Sequence, residues 1–126
     1  MRTDSLEVQV KAALEDYSND VVAAANKAVE AVSKEAVRRL KDTSPKRTGK
    51  YARGWSRKVT RNDVNLREFT IYNASEGWKT HLLEHGHVTR NKYGYFGRTP
   101  AHVHIAPVEE WVVDETPKRF EEELNK

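Results

Sequence analysis

The sequence predicts an α+β fold in which a long N-terminal helix packs on a small antiparallel sheet, with a short middle helix and a C-terminal helix. Three observations lead there. Apolar residues recur at steps of 3 and 4 over the first third of the chain. Two runs rich in β-branched and aromatic residues flank Asn62-Asp63. Pro107 is followed at once by an acidic, helix-compatible segment.

The first element is read over residues 5–41, where Leu6, Val10, Leu14, Tyr17, Val21, Ala25, Ala28, Val32, Ala36 and Leu40 form one apolar stripe. Asp4 and Glu7 have the spacing of a capping pair. Pro45 ends the helix, because it disfavours helical geometry at Ser44 and carries no N–H of its own. Such a helix would reach roughly 55 Å. That exceeds what one small core needs, so its excess length is expected to meet other proteins. The run from Pro45 to Trp55 is a turn followed by about one helical turn, with Tyr51 and Trp55 four apart and able to pack together.

Trp55–Thr60 and Val64–Asn73 read as the two strands of a hairpin spanning 55–73. Trp78–His85 suits a short helix, with Gly86 placed for the positive φ that ends one. Residues 87–100 read as an extended loop or protruding hairpin, and Val103–Ala106 as a last strand. The C-terminal helix is read over 107–124. Proline is tolerated in its first turn and Glu109 and Glu110 favour its N-terminus, while Pro117 is expected to kink or restart it.

The length of 126 residues fits a single domain, 1–126, able to bury about two thirds of its unfolded surface. The absence of cysteine rules out disulfides and thiolate chemistry and fits a reducing compartment. No apolar run approaches the ~20 residues of a membrane span, and Met1–Gln9 has no secretory character, so a soluble protein made in a cytoplasm is expected. The net charge of +3 conceals segregation. Ten Lys or Arg lie between Arg38 and Arg61 against Asp42 alone, whereas Glu109–Glu123 carries seven acids against Lys118 and Arg119. Opposite patches of this kind favour head-to-tail contacts between copies or with neighbours, unless both are simply solvated faces.

All five histidines lie between His81 and His104. His81-Leu-Leu-Glu-His85 has the spacing of one zinc-peptidase pattern, which would make the histidines ligands and Glu84 a general base. A third protein ligand could come from the downstream carboxylates Glu109, Glu110, Asp114 or Glu115, but three fixed residues are a weak signal in a chain with five histidines, so no metal and no cofactor are assigned. If His102 and His104 alternate along a strand with Val103 and Ile105, both imidazoles share one face. The basic run interleaved with Tyr51 and Trp55 permits non-specific contact with nucleic acid, but no helix-turn-helix, zinc-finger or RNA-recognition signature accompanies it. There is no G-x-S-x-G elbow and no phosphate-binding P-loop.

Three separated runs carry a resemblance. Pro45-Lys-Arg-Thr-Gly-Lys-Tyr-Ala-Arg-Gly-Trp-Ser56, Leu82-Leu-Glu-His-Gly-His87 and Pro100-Ala-His-Val-His-Ile-Ala-Pro107 are similar, in order and spacing, to the small neck and tail-completion proteins of long-tailed bacteriophages and prophages, also described as head-tail joining or minor tail-component proteins. The chain departs from that pattern in reading Pro-Ala-His-Val-His-Ile before its last helix and in placing Pro117 within it. The resemblance implies a non-enzymatic structural protein of the virion, present in the host cytoplasm during assembly. It would act in a homo-oligomeric ring with other neck and tail proteins, with possible contact to DNA and none to membrane. It also directs attention to the loop residues Arg90, Lys92, Tyr93, Tyr95, Phe96 and Arg98 as candidate partner contacts. A non-specific nucleic-acid-binding module is the alternative, and a small zinc hydrolase using His81, Glu84 and His85 a less favoured one.

Overall fold

The computed structural model describes residues 6–13, 18–63, 66–91 and 94–126. It is α+β. Strand β1 (Val8–Ala13) precedes a long helix α1 (Asn19–Thr43), a single helical turn α2 (Lys50–Arg53), strands β2 (Trp55–Asp63) and β3 (Leu66–Asn73), and a short helix α3 (Lys79–His85). Strands β4 (His87–Asn91) and β5 (Gly94–Thr99) follow, and helix α4 (Ile105–Leu124) ends the chain. The main sheet is antiparallel in the order β1-β3-β2, with Val8 opposite Ile71, Val10 opposite Phe69, and Trp55 opposite Asn73.

The long helix is present, but it begins at Asn19 rather than residue 5. Val8 and Val10 alternate with exposed Gln9 and Lys11, a period of two that satisfies a strand as well as the 3- and 4-step stripe satisfies a helix. Pairing with β3 decides between them, because there both valines are buried against Phe69 and Ile71. Ser18 then caps α1, its Oγ accepting the N–H of Val21 at 3.4 Å. The proposed capping residue Asp4 lies outside the described residues. At 25 residues α1 spans roughly 38 Å. The length once assigned to partners is therefore partly strand, and much of the rest packs against α4.

The α1 face made of Ala24, Ala25, Ala28, Val29, Val32, Ala36 and Leu40 is buried. It closes over Val8, Val10, Phe69 and Ile71 of the sheet, while Ile105, Val108 and Val112 of α4 complete the core. Arg39 stacks its guanidinium 4.2 Å from the Trp111 ring, which locks the outer edge of the α1–α4 contact. Arg57, counted above in the basic run, is spent inward. It donates to Ser33 Oγ (2.6 Å) and to the Glu30 carbonyl (3.2 Å) and lies over Phe69.

Of the two readings offered for residues 87–100, the hairpin is the one observed rather than the extended loop: β4 and β5 pair antiparallel with a bulge between Val88 and Arg90, separate from the main sheet. Two further expectations change. Residues 103–106 are not a strand, because α4 begins at Ile105 rather than 107 and the preceding segment is held by other bonds described below. Pro117 does not restart α4, which continues through it to Leu124. The carbonyl it leaves without a donor belongs to exposed Val113, where water can serve it. Among the described residues no helix is long and apolar enough to cross a membrane.

Candidate functional site

The three sequence runs singled out above converge on one buried polar junction. Its hub is Glu84 on α3. The carboxylate is 4% exposed, and its Oε1 accepts the backbone N–H of His104 and of Ile105, both at 2.8 Å, while Oε2 accepts that of Ala106 at 2.9 Å. The first turn of any helix has N–H groups without intrahelical partners. Here three of them are given to Glu84, and the next residue is Pro107, which has none to satisfy. A residue 20 positions away in sequence thus caps α4, and its negative charge also meets the positive end of the helix dipole. Burial by itself would raise the Glu84 pKa. The three backbone N–H donors and the neighbouring His104 outweigh it, so the carboxyl is held below its ordinary value.

His104, 3% exposed, continues the junction. Its Nδ1 lies 2.6 Å from the His102 carbonyl and 3.2 Å from Glu84 Oε1, both acceptors, so Nδ1 carries the proton. Nε2 then accepts the Tyr51 hydroxyl at 2.8 Å. Burial, and after it the Glu84 charge, pushes the Tyr51 pKa upward, which keeps the phenol protonated as donor. The Tyr51, Trp55 and His104 rings pack edge to face with centroids 5.6 to 6.4 Å apart. Trp55 Nε1 donates to Ser44 Oγ at 2.7 Å, and Ser44 Oγ donates to the Leu40 carbonyl, which ties the end of α1 to the same cluster. Asn73 Nδ2 donates to the Tyr51 carbonyl (2.7 Å), while its Oδ1 accepts the N–H groups of Ser75 (3.2 Å) and Glu76 (2.9 Å).

Backbone geometry explains two glycines of the first run. Gly49 has φ 82°, which L-residues with side chains resist, and it sets the direction of α2. Gly54 accepts the Ala74 N–H at 2.8 Å, and a Cβ there would overlap Ser75 Oγ and come within 2.5 Å of Asn73 Oδ1. Gly86, also at positive φ (74°), turns the chain from α3 into β4.

This arrangement takes Glu84 out of the general-base role that the zinc-hydrolase alternative gave it. Glu84 is buried and its oxygens are committed to α4, whereas His81 and His85 are exposed, with ring centroids 4.7 Å apart. Among the described residues no group of three His, Cys, Asp or Glu could hold a metal ion. His102 and His104 do not share a strand face, since one is exposed and the other buried. Sequence reasoning singled out Glu84, His104, Tyr51 and Trp55, but it weighed Glu84 only as a general base in a less favoured alternative and placed His104 on a strand. It missed Ser44 and Asn73, for which the only signals are a serine before Pro45 and an asparagine closing a strand. Of the candidate partner contacts, Arg90 lies on β4 opposite Tyr95 of β5, and Phe96 and Arg98 lie further along β5. Lys92 and Tyr93 fall outside the described residues.

Residues 9–86 match a known family, HK97-gp10_like, described as "Bacteriophage HK97-gp10, putative tail-component". The chain belongs to this family. The match covers more than half of the sequence, includes the Thr48-Gly49 turn, Tyr51, Trp55 and Glu84, and stops short of the Pro100–Pro107 run that completes the junction in this HK97-gp10-like chain. No curated protein and no solved structure matches it significantly.

Proposed function

We propose that this HK97-gp10-like protein is a structural, non-enzymatic component of a phage virion that joins head and tail or completes the tail. It would act as a ring of identical copies among other neck and tail proteins. The observation that carries the reading is the use made of this chain's most reactive buried side chains. Glu84, His104 and Tyr51 are a carboxylate, an imidazole and a phenol that could serve acid–base chemistry, yet each is buried and bonded to the backbone or to one another. They brace three helices rather than address a substrate.

The β4–β5 hairpin supports the same reading. A two-stranded ribbon is marginal by itself in water, and this one pairs with neither edge of the main sheet. In the assembled virion a neighbouring protein, or DNA in the channel, would meet Arg90, Lys92, Tyr93, Tyr95, Phe96 and Arg98. The test is a phage in which Arg90, Lys92 and Arg98 are replaced by alanine. Joined particles are counted by electron microscopy and infectious units by plaque assay. The expected result is an accumulation of separate heads and tails, and unchanged joining removes the hairpin from the mechanism.

A further inference from the structure

Two open features of the described surface are opposite in character. The first is a groove of about 450 Å³ between the Pro45 turn and α3. Tyr51, Leu82, Leu83 and Trp78 give it an apolar floor and wall, and Trp78 is 45% exposed. Lys79 on its edge is neutralised by Glu76 at 2.6 Å. Lys46, Arg47 and Lys50 in the turn, all exposed, face no acid within that turn, and among the described residues none of the three forms an ion pair. The second feature is the outer stripe of α4. Val113 is 67% exposed there, between Glu109, Glu110 and Asp114, three carboxylates that have no ion-pair partner among the described residues.

We propose that the α4 stripe of one copy docks in the α3 groove of the next. Val113 enters between Trp78 and Leu82, and Glu109, Glu110 and Asp114 meet the cations of the Pro45 turn. The proposal rests on the ring reading above and supplies its subunit interface. Charge decides the pairing. Groove against groove would set cations against cations, and stripe against stripe would set carboxylates against carboxylates, so neither two-fold arrangement is favoured. The two surfaces share no residue and both are open in the same molecule. A contact between two copies therefore leaves a free groove at one end and a free stripe at the other, the condition for a heterologous assembly that closes by rotation. Exposed charges of this kind are screened over about 8 Å at physiological salt, so the contact weakens as salt rises.

The chain has no cysteine, which makes the test direct. Leu82→Cys and Val113→Cys are prepared as single variants and as a double variant, then treated with a short bismaleimide. Each single variant is expected to give no dimer, their mixture a dimer and nothing larger, and the double variant a ladder. Arg47→Glu should lower the mixed-dimer yield on the order of tenfold, and Glu110→Lys in the partner should restore it. Should Leu82→Cys impair folding, seen as a lowered melting temperature, Trp78→Cys replaces it on the opposite wall of the groove. Homodimers from either single variant as abundant as the mixed dimer would overturn the proposal.

The double variant is also introduced into the phage. Normally joined particles that contain the protein but yield no ladder refute this interface and leave the assembly role intact. A protein absent from particles, with its gene dispensable for joining, refutes the assembly role, whereas the purified mixture reports on the interface separately.

Discussion

Replacing Glu84 by Gln keeps the side chain's shape and removes its charge, so it isolates what the carboxylate does for α4. In the native protein two oxygens accept three backbone N–H groups. A glutamine retains one acceptor oxygen and turns an NH2 toward at least one of those donors. A hydrogen bond to a charged group contributes about 1.5–3 kcal/mol, and a charge at a helix N-terminus up to about 1 kcal/mol more. Losing one such bond and the dipole term lowers stability by about 2–4 kcal/mol. For a chain of this size that corresponds to a melting temperature lower by roughly 8–16 °C.

The pH dependence sharpens the test. Burial opposes ionisation of Glu84, but the three N–H donors and His104 prevail and depress its pKa below the ordinary 4.5. As pH falls, the unfolded chain therefore takes up this proton first. The stabilisation is complete above about pH 4.5 and is lost as pH drops through the lower folded value. The Gln variant has no such titration. Thermal melts followed by circular dichroism from pH 7 to pH 3 should show the widest gap between the two proteins at neutral pH and a narrowing gap in acid. A variant that melts with the native protein at pH 7, or a gap that stays constant through the acid range, would refute the capping role.

Tyr51→Phe removes the donor to His104 Nε2 and leaves a buried acceptor unsatisfied, so the urea midpoint should fall by the equivalent of about 1–3 kcal/mol with an unchanged slope. Gly54→Ala should cost about 1–3 kcal/mol by overpacking against Ser75 and Asn73. Combining it with Ser75→Ala should recover part of that loss, whereas additive losses would mean that the overlap is not the cause. Val113→Ala should leave the melting temperature of the isolated chain essentially unchanged, within about 0.5 kcal/mol, because the residue stands in solvent. A large shift would place it in the fold rather than on a docking surface.

The sequence announced the α+β class, the apolar face of α1 and the antiparallel strands because each follows from a local period that burial then enforces. It misplaced the start of α1 because Val8 and Val10 belong to two periods at once, and only β3, nearly 60 residues away, selects one of them. The junction was harder still. His81-Leu-Leu-Glu-His85 fixes which side chains share a helix face, but not which face turns inward. On α3 the glutamate, at one margin of that face, is buried while the two histidines are exposed, and the deciding contact is with the start of a helix some 20 residues later.

That dependence on distant contacts bears on what the conspicuous residues are for. Tyr51, Glu84 and His104 come from three segments, and each satisfies a group that the others' elements would otherwise leave bare: an imidazole nitrogen, a helix N-terminus, a phenol. A half-satisfied buried polar network costs more than an apolar core would. The three side chains therefore act as a unit, and their joint effect is to fix α2, α3 and α4 in register. The groove lies between the α2 turn and α3, and the stripe lies on α4. A loosened junction would therefore disturb the spacing between these two surfaces before it unfolded either. Partial destabilisation at Glu84 should for this reason lower the mixed-dimer yield of the Leu82→Cys and Val113→Cys pair at temperatures where the chain is still folded. If yield instead tracks only the folded fraction, the junction supports the fold without setting the geometry of assembly.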